Sequence, residues 1–223
     1  MRIKDDHEAA TAYVNAANVL KKDDPKTAAG HFRTAAQMFV VKGHFSVAAK
    51  NLQEAGELFE AEEDIDNAVD CLQTAADYYE SENSGSRANN CLIKIADMQA
   101  KGEKYDDAIE IYERVARGAV ENNLLKWSAK EHLFKAMICH FCKNDVVGSK
   151  RALEKYADLD PMFSQQRESK LCAEICDAME NFDVDSFTKA VAEFDSMTPL
   201  DPFKTTLLLR VKNNISGDDG GLV

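Results

Sequence analysis

The sequence predicts an all-α fold in which a TPR-like α-solenoid of antiparallel helix pairs is followed by a C-terminal helical bundle. The first observation is an alanine that recurs every 20 residues, at Ala28, Ala48, Ala68, Ala88 and Ala108. The second is that each alanine is followed by apolar residues in steps of four and three, which share one face of an α-helix. The third is that turn residues interrupt the pattern at the same interval. A repeat of this kind is typical of an α-solenoid. The bulky residues four positions after the alanines are Phe32, Leu52, Leu72, Leu92 and Tyr112.

Helix boundaries follow from start and stop signals along the chain. Asp24-Pro25 and Asp201-Pro202 each place an N-cap residue before a proline in the first helical position, and Gly217 follows the last apolar stripe as a C-terminal stop. We predict a solenoid at 1–123, continuing helices and a bundle at 124–217, and a flexible acidic tail at 218–223 that ends in Leu-Val. The predicted helices span approximately 7–22, 26–42, 45–61, 65–81, 86–101, 105–120, 124–142, 145–158, 164–180, 184–195 and 202–216.

Composition excludes several classes of protein. The 223 residues contain 39 acidic and 27 basic side chains, and the net charge of -12 argues against a broad nucleic-acid-binding surface. No run is long and apolar enough to span a bilayer, and the first residues lack the apolar core of a secretory signal. Six cysteines without such a signal indicate reduced thiols, so we expect a cytoplasmic helical protein.

The only motif that suggests catalytic or metal chemistry is Cys139-His140-Phe141-Cys142. A thioredoxin-type pair follows a strand, whereas these cysteines end a long apolar helix, and no second pair completes a zinc site. Cys172 and Cys176 share another helix face, so we interpret all four as core thiols. With no phosphate loop or nucleophile motif either, we expect neither an enzyme nor a cofactor or metal site. A thiol redox or metal protein that uses Cys139 and Cys142 remains the weaker alternative.

Four segments in the second half of the chain form a distinctive set: 124–130 (LLKWSAK), 139–142 (CHFC), 200–212 (LDPFKTTLLLRVK) and the penultimate Leu222. Together they resemble the α-SNAP (Sec17) family of soluble NSF attachment proteins, and the resemblance extends over essentially the whole chain. It implies a non-catalytic adaptor that binds the four-helix bundle of syntaxin-like SNAREs and recruits and stimulates the hexameric ATPase NSF. The implied process is vesicle-mediated transport and membrane fusion, including ER–Golgi transport. The implied location is cytoplasmic and peripheral on membranes of the endomembrane system, Golgi or vacuole.

The resemblance also implies roles for individual residues. Arg87 lies one turn from Asn90, which stands where the family has a lysine, and Leu222 matches the leucine that stimulates ATP hydrolysis. The residues expected to face SNAREs are Lys21, Lys22, Lys50, Arg87, Lys94, Lys130 and Arg167. Those expected to face NSF are Asp145, Asp177, Glu180, Asp218, Asp219 and Leu222.

The start of the chain differs from the family pattern. Relatives begin roughly 70–80 residues earlier, which is about two helical hairpins at this repeat length. Those hairpins contain an apolar loop that touches the membrane, so we expect attachment through that loop to be absent. A generic TPR-like interaction scaffold, such as a truncated SNAP form that is inactive or inhibitory, is the alternative function.

Overall fold

A computed structural model describes residues 2–122 and 125–217 of the chain. Within these ranges the regular structure consists of eleven α-helices and two short 3-10 helices, without strands, which confirms the predicted all-α fold. The chain divides into two compact units, Met1–Met98 and Gln99–Val223.

The first unit is a stack of consecutive antiparallel helices. Helix α1 packs on α2, α2 on α3 and α3 on α4. The alanines of the repeat face these contacts, and Ala28, Ala48, Ala68 and Ala88 are fully buried, because a small side chain allows close approach of neighbouring helices. The helices are α1 (Arg2–Leu20), α2 (Pro25–Val41), α3 (Phe45–Ala61), α4 (Ile65–Ser81) and α5 (Gly85–Lys101), of which α5 contains the boundary between the units.

The constant interval comes from a helix of 17 residues followed by a three-residue turn. The central turn residue is left-handed each time, with φ of 74° at Gly43, 59° at Glu63 and 55° at Asn83. The next residue donates its N–H back across the turn, as His44 does to the Phe39 carbonyl at 2.9 Å. This arrangement is the Schellman helix stop, which satisfies carbonyls that the helix end leaves free.

The second unit is a helical bundle in which α7 is central. Helix α7 packs against α6, α8, α9 and α11. Leu133 and Met137 of α7 are fully buried, and its Phe134 ring lies 5.6 Å from the ring of Phe194. No helix within residues 2–122 and 125–217 has the length and apolar character needed to cross a bilayer. The helices are α6 (Tyr105–Glu121), α7 (Ala129–Cys142), α8 (Val146–Leu159), α9 (Arg167–Glu180), α10 (Val184–Met197) and α11 (Pro202–Ser216).

Two predicted helices begin later than the sequence suggests. The sequence predicts one helix at 124–142, but the structure has a 3-10 helix at Lys126–Ser128 and α7 begins at Ala129. The Ser128 hydroxyl donates a hydrogen bond to the Leu125 carbonyl at 2.7 Å. A side chain that competes for backbone carbonyls favours such a tight turn over an α-helix. In place of the helix at 164–180, Phe163–Gln165 is a 3-10 helix, and the extended backbone of Gln166 (ψ 157°) separates it from α9. The first helix begins at Arg2 rather than near residue 7.

All six cysteines lie within the described residues, are buried and form no disulfide bond. Cys139 and Cys142 lie one turn apart on α7, and the Cys142 thiol donates to the Leu207 carbonyl of α11 at 3.5 Å. Burial raises the pKa of the Cys142 thiol to about 12 and that of Cys176 to about 11. Thiols with such pKa values stay protonated and unreactive at neutral pH, which confirms their interpretation as core residues.

Candidate functional site

Basic residues predicted to face a partner converge on one face of α3 in the first unit. Lys21, just after α1, pairs with Glu54 of α3, and Lys94 of α5 pairs with Glu57 of α3. Lys50 lies one turn before Glu54 on the same helix. Because Lys50, Glu54 and Glu57 are spaced by four and three residues, they share one helix face. Two other stretches of the chain therefore bring cations to the face of α3 on which Lys50 lies.

Arg87 joins the same group through a chain of side chains. Its guanidinium lies 5.7 Å from the ring centroid of Tyr79. The Tyr79 hydroxyl donates to Gln53 Oε1 at 3.4 Å, and Gln53 Nε2 donates to Glu57 Oε1 at 3.0 Å. We call this group the α3 charged face, and its four cations exceed its two carboxylates. Its members are Lys21, Lys50, Glu54, Glu57, Arg87 and Lys94.

The charges of this face are not equally available to a partner. Burial alone would raise the pKa of Glu57, but hydrogen bonds from Lys94 and Gln53 outweigh burial and lower it, so Glu57 is ionised at neutral pH. Lys94 therefore faces a fixed negative charge. Lys50 is exposed and has no ion pair among the residues that the structure describes. Lys22 is also exposed, but no described contact joins it to the face.

A groove of about 260 Å³ lies beside Lys50. Val14, Phe32, Phe39 and Val47 give it an apolar part, and Lys50 is also among its lining residues. A partner helix that places an apolar side chain one turn from an acidic one would match both features.

The two remaining predicted SNARE-facing residues lie in the second unit. Lys130 Nζ is 3.0 Å from Glu168 Oε1, and the Glu168 carboxylate is buried. Arg167 precedes Glu168 in the chain, is exposed and is the first residue of α9. A groove of about 490 Å³ adjoins Lys130 and is lined by the exposed side chains of Trp127 and Met162.

The predicted acidic surface also lies in the second unit. Lys150 of α8 has its Nζ 2.8 Å from Glu180 Oε2 and 3.9 Å from Asp177 Oδ1, both on α9. The hydrogen bond to Glu180 raises the pKa of Lys150. Asp145 is the N-cap of α8, where its carboxylate accepts the Gly148 N–H at 2.9 Å. The predicted sites Asp218, Asp219 and Leu222 lie outside the described residues.

The family model for "Soluble NSF attachment protein, SNAP" matches residues 1–216. The chain belongs to the SNAP family. It is 43% identical over 223 residues to the alpha-soluble NSF attachment protein of Mus musculus, covering 100% of this chain and 75% of that protein. It is 45% identical over 213 residues to the protein of the same name from Vitis vinifera, covering 96% and 74%. It is 35% identical over 216 residues to the probable vesicular-fusion protein sec17 homolog of Schizosaccharomyces pombe, covering 96% and 75%.

These relatives confirm the resemblance seen in the sequence. The matched region, residues 1–216, includes the first compact unit of this SNAP chain and most of the second. The family is one of attachment proteins rather than enzymes, which agrees with the expected adaptor. The described residues contain no group of three or more His, Cys, Asp or Glu that could hold a metal ion.

Sequence reasoning missed the residues that neutralise part of each surface of this SNAP chain. Glu54 and Glu57 pair with two predicted cations, and Lys150 pairs with two predicted acids. The spacing of Lys50, Glu54 and Glu57 shows in the sequence that they share a face. The cations that pair with Glu54 and Glu57, one just after α1 and one on α5, are not apparent, because they lie more than 30 residues away in the chain.

Proposed function

We propose that this SNAP chain is an adaptor that binds SNARE complexes and recruits and stimulates an NSF-type ATPase for their disassembly, in vesicle-mediated transport and membrane fusion. Family membership and the names of the relatives support this proposal. The structural observation on which it depends most is the α3 charged face, where four cations from three stretches of chain meet and Lys50 has no ion pair with any residue that the structure describes.

On the SNARE side, the partner is the acidic exterior of a four-helix bundle of syntaxin-like SNAREs. Helices hold these cations at fixed positions, which suits the acidic exterior of a rod-shaped helical bundle. Electrostatic complementarity increases the rate at which the two proteins associate and fixes their relative alignment. We assign the contact to the α3 charged face and Lys22 in the solenoid at 1–123, and to Lys130 and Arg167 in the helices of 124–217.

On the ATPase side, the partner is a basic surface of a hexameric NSF-type ATPase. Asp145, Asp177 and Glu180 supply negative charge near the ends of α8 and α9. The tail at 218–223 adds Asp218 and Asp219, with Leu222 as the residue that stimulates ATP hydrolysis. We further propose a cytoplasmic location, peripheral on endomembrane, Golgi or vacuolar membranes and held there through SNAREs.

The deciding experiment measures binding to an immobilised SNARE bundle and phosphate release by the ATPase. Lys50→Glu should weaken SNARE binding about tenfold, which corresponds to about 1.4 kcal/mol. Lys26→Glu is the matched control, since it makes the same charge change at an exposed position of α2. Leu222→Ala should leave SNARE binding unchanged and lower ATPase stimulation.

Unchanged binding by Lys50→Glu would contradict the adaptor proposal and favour a generic TPR-like scaffold. So would failure of the wild-type chain to compete with a full-length SNAP protein for the SNARE bundle. Unchanged stimulation by Leu222→Ala would contradict the role assigned to the tail.

A further inference from the structure

Phe182, in the turn between α9 and α10, combines an unusual backbone with an exposed aromatic ring. Its φ is 52°, in the left-handed region, and 76% of the residue is exposed. A side chain with a Cβ strains this conformation, which glycine adopts freely and asparagine adopts more readily than other residues. Neither packing nor backbone preference explains a phenylalanine here.

The turn itself requires a left-handed residue but not an aromatic one. The Asp183 N–H donates to the Ala178 carbonyl at 2.9 Å, which makes Phe182 the left-handed residue of a Schellman stop. The apolar contact that usually accompanies this motif involves the next residue, so the ring is not needed for the cap. Equivalent turns of the described chain use glycine, asparagine or glutamate. Those residues are Gly43, Glu63, Asn83, Glu103 and Asn144.

The surroundings of Phe182 are acidic. Glu180 precedes it by two residues, and Asp183 follows it as the N-cap of α10, accepting the Ser186 N–H at 2.9 Å. A groove of about 320 Å³ between α9 and α10 is lined by acids and by Asn181 and Asp183, on either side of Phe182. The acidic lining residues are Glu174, Asp177, Asp183 and Glu193, with Lys189 as the basic one.

We propose that Phe182 is an apolar anchor that inserts into a socket on the basic surface of the ATPase. This proposal rests on the proposed function, since Asp177 and Glu180 are the acids assigned to that partner. Charge complementarity selects the occupant. A membrane with anionic headgroups, or a second copy of a chain with net charge -12, would be repelled by the acids around the ring. Aromatic side chains that become buried in a pocket of the partner are among those that dominate interface affinity.

Phe182→Asn separates this role from a structural one. Asparagine relieves the left-handed strain, so Tm should rise by about 2–4 °C. Recruitment of the ATPase to a SNARE-bound chain should weaken about tenfold, because the buried area of one phenylalanine is lost. SNARE binding should not change, and Phe182→Tyr should retain recruitment. Glu63→Asn is the matched control, since it makes the same backbone change at an exposed turn residue of the first unit.

The outcomes distinguish the anchor from the function on which it rests. If Phe182→Asn lowers Tm, the anchor is wrong. It is also wrong if Phe182→Asn recruits the ATPase as well as wild type does, while the double variant Asp177→Lys, Glu180→Lys fails to recruit it. In both cases the adaptor proposal stands. If the wild-type chain fails to recruit the ATPase to SNAREs at all, both are wrong. Higher Tm together with weaker recruitment supports the anchor.

Discussion

The ammonium of Lys94, on α5, pairs with the carboxylate of Glu57, on α3, and so joins two helices that are not consecutive in the chain. Their side chains are 37% and 39% exposed. Ion pairs this open to water contribute only about 0–1 kcal/mol to the free energy of unfolding. The pair therefore matters less for stability than for the charge that the α3 charged face presents to a partner.

Replacing Lys94 should reveal this role. Lys94→Ala leaves Glu57 as an uncompensated negative charge, so SNARE binding should weaken, by about tenfold for a change of about 1.4 kcal/mol. The double variant Lys94→Ala, Glu57→Ala should bind within about threefold of wild type, because the pair is removed as a unit. Affinities from a titration with soluble SNARE bundle complete the double-mutant cycle. A double variant as weak as Lys94→Ala would show that Glu57 lies away from the interface.

Lys150 is expected to restrain ATPase binding, since it neutralises part of the charge of Asp177 and Glu180. Lys150→Ala should raise the association rate with the ATPase at low ionic strength, and the gain should disappear near 1 M salt, where the Debye length is about 3 Å. Stopped-flow association at several salt concentrations measures it. Lys26→Ala is the control, because it removes the same charge at an exposed position of α2 in the first unit. Equal rates for both variants would contradict the assigned acidic surface.

The fold was predictable because its signals are local. The spacing of the alanines in the sequence indicates the repeat that buries Ala48 and Ala68. Asp24 and Asp201 are recognisable in the sequence as N-cap residues, and the structure confirms both caps. The 3-10 helix at Lys126–Ser128 was missed because apolar residues alone do not distinguish a tight turn from a helix start.

The candidate site was predictable only in part, because pairings across helices are not local. The resemblance indicated Lys94, Asp177 and Glu180 as partner-facing residues. It did not indicate that Lys94 pairs with Glu57, or that Lys150 pairs with both acids, because these contacts form only between stacked helices. Phe182 gave no signal at all, since left-handed turn positions are recognised in a sequence by glycine or asparagine.

Glu113 of α6 should make stability depend on acid pH. The residue is 9% exposed, and its carboxylate accepts hydrogen bonds from Lys155 at 2.7 Å and from the Tyr156 hydroxyl at 2.8 Å. Burial alone would raise the pKa of Glu113, but the bonds from Lys155 and Tyr156 outweigh it and hold the pKa below 4.5. A folded-state pKa below the unfolded one stabilises the protein above the unfolded pKa, and this contribution is lost as pH falls through the folded pKa.

Glu113→Gln should therefore lower the free energy of unfolding by about 1–3 kcal/mol at pH 7, since a charged hydrogen-bond acceptor is lost. The difference from wild type should shrink below pH 4.5, the reference pKa of the carboxyl group. Urea unfolding at pH 7 and at pH 3.5 measures it. Glu110→Gln, at an exposed position of the same helix, should stay within about 0.5 kcal/mol of wild type. A constant difference across pH would contradict the role of the Glu113 charge.

Two glycines of the first unit should respond in opposite directions to alanine. A Cβ on Gly56 of α3 would lie 2.7 Å from Leu72 Cγ and 3.2 Å from the Ala68 carbonyl oxygen, both on α4. Because the carbonyl belongs to a helix backbone, the two helices must separate, and Gly56→Ala should lower the free energy of unfolding by about 1–2 kcal/mol.

A Cβ on Gly30 of α2 meets nothing within 4 Å. Gly30→Ala should therefore raise that energy by about 0.5–1 kcal/mol, through helix propensity alone. Thermal unfolding should show opposite shifts in Tm of about 2–4 °C per kcal/mol. Equal shifts would mean that α3 and α4 are less closely packed than the repeat of small residues requires.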